Sequence, residues 1–222
     1  MKKFWDTVFT IAWKDILAEL RTKDTATSTL VFALMVIVTF NFAFDPDRIK
    51  LVAAGVLWVA IAFAGVLSLN RSFTSESDKG CLEGLMLSPV DREAVFLGKM
   101  LGSLTFMLVV EVVLLPLFSV LYNFPILLPK LALVALLATV GFACVGTLFS
   151  ALAVNTRARE VMLPLLFFPM VTPIMIAAVK ASEVILERGA WGDMSSWIGL
   201  IAAFDVVFLV VSSIVFEYIV EE

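Results

Sequence analysis

Residues 25–44, TATSTLVFALMVIVTFNFAF, and residues 51–70, LVAAGVLWVAIAFAGVLSLN, contain no charged side chain. Each has the ~20 residues that a helix rising 1.5 Å per residue needs to cross the ~30 Å hydrocarbon core of a bilayer. Backbone N–H and C=O groups find no water there, so such runs fold as helices, which pair those groups internally. Four more runs follow at 99–122, 131–154, 161–180 and 197–219. The third carries Glu111 and leads into a turn at Asn123–Pro125, the fifth carries Pro164, Pro169 and Pro173, and the sixth carries Asp205. The fold predicted is all-α: a polytopic membrane protein with six transmembrane helices spread over 25–219.

Composition supports this reading beyond the six runs. Hydrophobic residues make up 61% of the 222 and charged residues only 16%, with a mean hydropathy of +1.03. A soluble domain runs nearer half apolar and a quarter charged, so this chain has too little polar surface to face water. The net charge is −4 with no basic block, which argues against nucleic acid as a partner. There is no histidine, and the two cysteines, Cys81 and Cys144, lack metal-type spacing. No metal site and no catalytic set is predicted, because the commonest metal ligand and general base is missing. The bilayer itself is the first partner the sequence names.

Residues 1–24 precede the first span. Phe4, Trp5, Val8, Phe9, Ala12, Trp13, Ile16, Leu17 and Leu20 recur at helical spacing, with most charges elsewhere on the wheel. The segment reads as an amphipathic helix in the membrane interface with two tryptophans at headgroup depth, or as a helix packed on a soluble partner. Lys and Arg set the orientation. Eleven of them (Lys2, Lys3, Lys14, Arg21, Lys23, Arg71, Lys79, Arg92, Lys99, Arg157, Arg159) fall on the side of the N-terminus and five (Arg48, Lys50, Lys130, Lys180, Arg188) on the other. Both termini and the loop 71–97 are therefore expected in the cytoplasm. Tyr122, Trp191, Trp197 and Tyr218 lie near span ends, where an aromatic belt would sit. Gly98–Gly102 and Gly146–Ser150 have the small-xxx-small spacing that lets helices approach closely.

The loop between the second and third spans, RSFTSESDKGCLEGLMLSPVDREAVFL at 71–97, is the most informative polar segment. Ser75 with Asp78 and Ser88 with Asp91 resemble capping boxes, and Pro89 suits a first helical position. The reading is a short helix from about Glu76 to Leu87, a break at Ser88–Pro89, and then the third span. That helix sets Leu82, Leu85 and Met86 beside Glu76, Gly80 and Glu83. It either lies on the end of the bundle or docks into a groove of a cytosolic protein.

Inside the membrane, Glu111 and Asp205 are the two isolated carboxylates. A charge at mid-bilayer costs at least a few kcal/mol, so each is either functional or held as a neutral hydrogen-bonding group by a neighbouring helix. Pro164, Pro169 and Pro173 remove three backbone donors from the fifth span and predict a kink there.

The segments LNRSFTSE at 69–76, LEGLMLSP at 82–89, FLGK at 96–99, NTRAREVMLPLLFFP at 155–169 and WKDILAELRTKD at 13–24 carry a resemblance over nearly the whole chain. With them the sequence resembles the haem exporter protein B family (CcmB), the permease subunit of the ABC transporter of cytochrome c maturation. The resemblance implies an ABC-2-type exporter permease with an interfacial N-terminal helix and a cytosolic coupling helix, in the bacterial cytoplasmic (inner) membrane. It implies pairing with a second copy, with an ABC ATPase subunit and with a haem-handling membrane protein. Glu76, Gly80, Leu82, Glu83, Leu85, Met86, Ser88, Pro89 and Arg92 would form the contact to the ATPase. ATP would be bound by that partner, since Gly98–Lys99 is the only Gly–Lys pair here and no phosphate-cradling loop precedes it. Haem would be a ligand of the complex, not a cofactor of this chain, which offers iron no imidazole. Three other readings fit the physical features: export of a lipid, glycan or drug on the same architecture, a proton-coupled carrier using Glu111 and Asp205, and a membrane scaffold for an assembly complex.

Overall fold

The architecture is taken from a computed structural model that describes residues 2–22, 24–78, 90–124, 129–154, 156, 159–187 and 189–219. The described residues form seven helices: α1 (Lys2–Thr22), α2 (Asp24–Ala43), α3 (Pro46–Asp78), α4 (Arg92–Leu121), α5 (Pro129–Val154), α6 (Arg159–Leu186) and α7 (Trp191–Ile219). All but α1 are long and apolar enough to cross a membrane. The helices named for the six spans surround a core that draws mainly on α3, α5 and α6, with Trp58, Phe142 and Phe167 fully buried at its centre. α5 is the innermost element, packed on α3, α4, α6 and α7, while α1 lies mainly against α4.

Two helix boundaries differ from those the capping pattern predicts. α3 continues through Ser75 to Asp78 without interruption, so Glu76 belongs to the end of α3 and does not start a separate helix. No glycine or proline lies between Asn70 and Ser75, and extending a helix is far easier than nucleating a new one. α4 begins at Arg92, after the Ser88–Pro89 pair. Its N-cap is Asp91, in an extended conformation, whose carbonyl accepts from Ala94 N–H at 3.0 Å and Val95 N–H at 3.2 Å. Gly80, Leu82, Glu83, Leu85, Met86, Ser88 and Pro89 lie outside the described residues.

α4 ends as its sequence directs. Asn123 takes φ 54°, a left-handed conformation that asparagine tolerates better than most residues. Phe124 N–H reaches Ser119 C=O and Tyr122 N–H reaches Phe118 C=O, both at 3.0 Å, which closes a Schellman-type stop. Tyr122 is buried and its hydroxyl donates to Ile37 C=O at 3.0 Å, so it ties α4 to α2 and is not part of an aromatic belt. Asn41 adds a second tie, donating to Leu121 C=O at 2.9 Å. Trp191 and Tyr218 are exposed, as belt residues would be.

α6 passes through Pro164, Pro169 and Pro173 as one continuous helix. The prolines remove donors without ending it, because its other face is clamped into the core by Leu163, Phe167, Val171, Ile174, Ala177, Ala178 and Ala181. Trp58 Nε1–H donates to Ser182 Oγ at 2.9 Å and fixes α6 to α3.

Candidate functional site

The middle of the bundle brings two of the predicted residues against one helix. Glu111 of α4 is 3% exposed and accepts a short hydrogen bond from the Thr139 hydroxyl of α5. Asp205 of α7 is 7% exposed and rests on Gly141 of α5, where an added Cβ would collide with its Oδ1. Thr139 and Gly141 are two residues apart, so they differ by ~3 Å along the α5 axis and by ~200° around it. Both lie near the middle of Pro129–Val154, and Asp205 is midway along Trp191–Ile219. The two carboxylates therefore flank α5 at one depth, half-way through the bundle, on different sides.

Their surroundings differ in kind. Glu111 Oε1 has its donor, while Oε2 and the Thr29 hydroxyl of α2 are buried without a hydrogen-bond partner among the described residues. A void of about 10 Å³ lined by both Thr29 and Glu111, with Gly65 and Met107, separates α2, α3 and α4 there. Both Asp205 oxygens are buried without a hydrogen-bond partner among the described residues. A buried polar group left unpaired costs roughly 1–3 kcal/mol, so packing alone gives no reason for an acid at this position.

The second constellation joins α1 to the start of α4. Gly98 and Gly102 form a groove: a Cβ on Gly98 would meet Ile11 Cβ at 2.8 Å, and one on Gly102 would meet Asp15 Cβ at 3.1 Å. The GxxxG pair is thus the seat of α1, with Val8, Ile11 and Ala12 buried on the facing side. Beside it Lys99, only 1% exposed, donates to Asp15 Oδ2 at 3.2 Å, and Lys14 Nζ lies 3.1 Å from Asp15 Oδ1. Lys99 counts in the sequence as a charge at the membrane edge. Its ion-pair partner lies 84 positions away, and only the neighbouring GxxxG hints that a helix would reach it. Trp5, Phe9 and Trp13 form an exposed stripe on the other face of α1, which suits contact with headgroups.

The residues predicted to meet an ATPase are only partly in view. Glu76 lies in the last turn of α3. Arg92 is half-buried, and its Nη1 donates to Glu217 C=O at 3.3 Å, near the C-terminal end of α7. This places the first residue of α4, the last turn of α7 and the α1–α4 groove at the same end of the bundle.

Comparison with known proteins agrees with this architecture. The family model described as CcmB protein matches residues 6–221. A protein named heme exporter protein B from Pseudomonas aeruginosa is 31% identical over 161 residues, which covers 71% of this chain and 72% of that protein. One of the same name from Rhodobacter capsulatus is 32% identical over 168 residues, covering 73% of this chain and 74% of the relative. With a family match over nearly its full length and six membrane-spanning helices in place, the chain belongs to the CcmB protein family.

Proposed function

We propose that the chain is the membrane permease subunit of an ABC-type haem exporter serving c-type cytochrome biogenesis. The observation that carries this is the family match across residues 6–221, which includes every spanning helix. The relatives named heme exporter protein B supply the substrate class. The sequence carries no phosphate-binding loop, so ATP hydrolysis belongs to a partner ATPase, and this chain turns that hydrolysis into movement within the membrane. The segment 71–97, from the end of α3 to the start of α4, is the ATPase contact, with Leu82 and Leu85 as apolar anchors and Glu76, Glu83 and Arg92 setting orientation. Arg92 would act through the α4–α7 junction, since its guanidinium holds the α7 carbonyl of Glu217. A second copy and a haem-handling membrane protein complete the assembly in the bacterial cytoplasmic membrane, with both termini in the cytoplasm.

Mild-detergent purification tests this reading. The ATPase should co-purify with the wild-type chain, and Leu82→Ser, Leu85→Ser and Glu83→Lys together should release it while membrane insertion persists. An ATPase retained at the wild-type ratio by that triple variant would refute the contact.

A further inference from the structure

Every outward face of a membrane protein meets phospholipid, mostly without selectivity, but the end of the bundle that carries α1 has a cavity of different character. It has a volume of about 120 Å³ and lies between α1, the first turn of α2, α3 and α4. Its depth is fixed by the helices that bound it. Ala26 opens the apolar stretch Ala26–Ala43 of α2, and Ser68 lies two residues before the end of the stretch Leu51–Asn70 of α3. The cavity therefore sits at the boundary between headgroups and hydrocarbon.

The lining changes character with depth. At the boundary stand Glu19, Ser68 and Ser103. About one turn further along α4 the wall becomes Phe106 and then Val109, whose side chain is exposed on the outer surface. Asp15 also borders the cavity, with Lys14 and Lys99 on its two oxygens. Glu19, one turn on along α1, is a second acidic residue in the lining. The volume leaves room for a group the size of an aminoethyl headgroup.

We propose that this cavity binds the headgroup of a zwitterionic phospholipid with a primary ammonium, as in phosphatidylethanolamine, with Glu19 as the acceptor for the ammonium and an acyl chain leaving along Phe106 and Val109. A primary ammonium has three N–H donors, and the hydroxyl oxygens of Ser68 and Ser103 accept the remaining two. A trimethylammonium headgroup has no such donors and is bulkier, and a glycerol headgroup has no cation to meet the carboxylate. A lipid seated there touches α1, α2, α3 and α4 at once and makes the seating of α1 depend on the surrounding leaflet. This inference is independent of the permease reading and can fail without it.

Native mass spectrometry of the full chain in mild detergent tests the site, with palmitoyl-oleoyl phosphatidylethanolamine, phosphatidylcholine and phosphatidylglycerol added at equal concentration. One ethanolamine lipid per chain should survive activation that strips the other two. Glu19→Gln should weaken its retention about tenfold, the usual effect of losing a charge-assisted hydrogen bond. Thr105→Trp, an exposed position on the cavity wall, should block it, whereas Val112→Trp on the lipid face of α4 should not. If Glu19→Gln does not fold, the Thr105→Trp and Val112→Trp pair decides the question. Equal retention of the three lipids, unchanged binding in Glu19→Gln or Thr105→Trp, or displacement by millimolar free ethanolamine would overturn the proposal, the last by making a soluble amine the ligand.

Discussion

At the residue scale, the two intramembrane carboxylates make opposite predictions. Glu111 accepts from Thr139, so Glu111→Gln keeps an acceptor in place, whereas Glu111→Leu strands the Thr139 hydroxyl. Glu111→Leu should lower unfolding stability by roughly 1–3 kcal/mol more than Glu111→Gln, read as thermal denaturation in detergent. Asp205 has no hydrogen-bond partner among the described residues, so neither Asp205→Asn nor Asp205→Leu removes a bond. Both variants should assemble at wild-type level, and a role in transport then shows as lost cytochrome c maturation in the assembled protein. Wild-type maturation in both would remove Asp205 from the mechanism. The sequence shows that both acids sit in spans, since an isolated charge in an apolar run stands out. That they flank α5 at one depth was not legible, because nothing local in α5 marks Thr139 and Gly141 as their neighbours.

At the element scale, the contact of α1 with α4 is the most specific feature of the fold. Gly98→Val places a branched side chain where Ile11 Cβ would lie 2.8 Å from the new Cβ. Overpacking of this kind costs typically 1–3 kcal/mol, and here the helix that can yield is α1, which has few other neighbours. The expected result is an intact six-span bundle with α1 displaced, detected as faster proteolysis within residues 1–24 and altered emission from Trp5 and Trp13. Lys99→Met should do the same by leaving Asp15 without its buried partner, while Lys99→Asp combined with Asp15→Lys should restore part of the protection. Protection unchanged in Gly98→Val would mean that α1 is not held by the groove. The small-xxx-small pattern was visible in the sequence, but chance matches are common in apolar helices, so the spacing alone could not name the partner. The capping pattern at Ser75 failed for a related reason: a capping pair starts a helix only where the preceding helix has ended, and α3 does not end there.

For the whole molecule, hydropathy was sufficient for class and span number, because the bilayer allows helices little alternative. The packing order around α5 depends on contacts between distant positions, which periodicity does not encode. Topology is open to a direct check. Cys144 is fully buried and should resist a membrane-impermeant thiol reagent in either orientation, whereas Cys81 should react only in inside-out vesicles. Labelling of Cys81 in right-side-out cells would reverse the orientation and separate the loop 71–97 from any cytosolic ATPase. The central claim, that this subunit couples a partner's ATP hydrolysis to haem export for cytochrome c biogenesis, is tested most directly by staining for covalently bound haem in c-type cytochromes. Three strains are compared: cells lacking the chain, the same cells with the wild-type chain restored, and restored cells whose partner ATPase carries an inactivated nucleotide site. The account predicts that haem-bearing c-type cytochromes disappear in the first, return in the second and stay absent in the third. Normal levels in cells lacking the chain, or full restoration with the inactive ATPase, would contradict it.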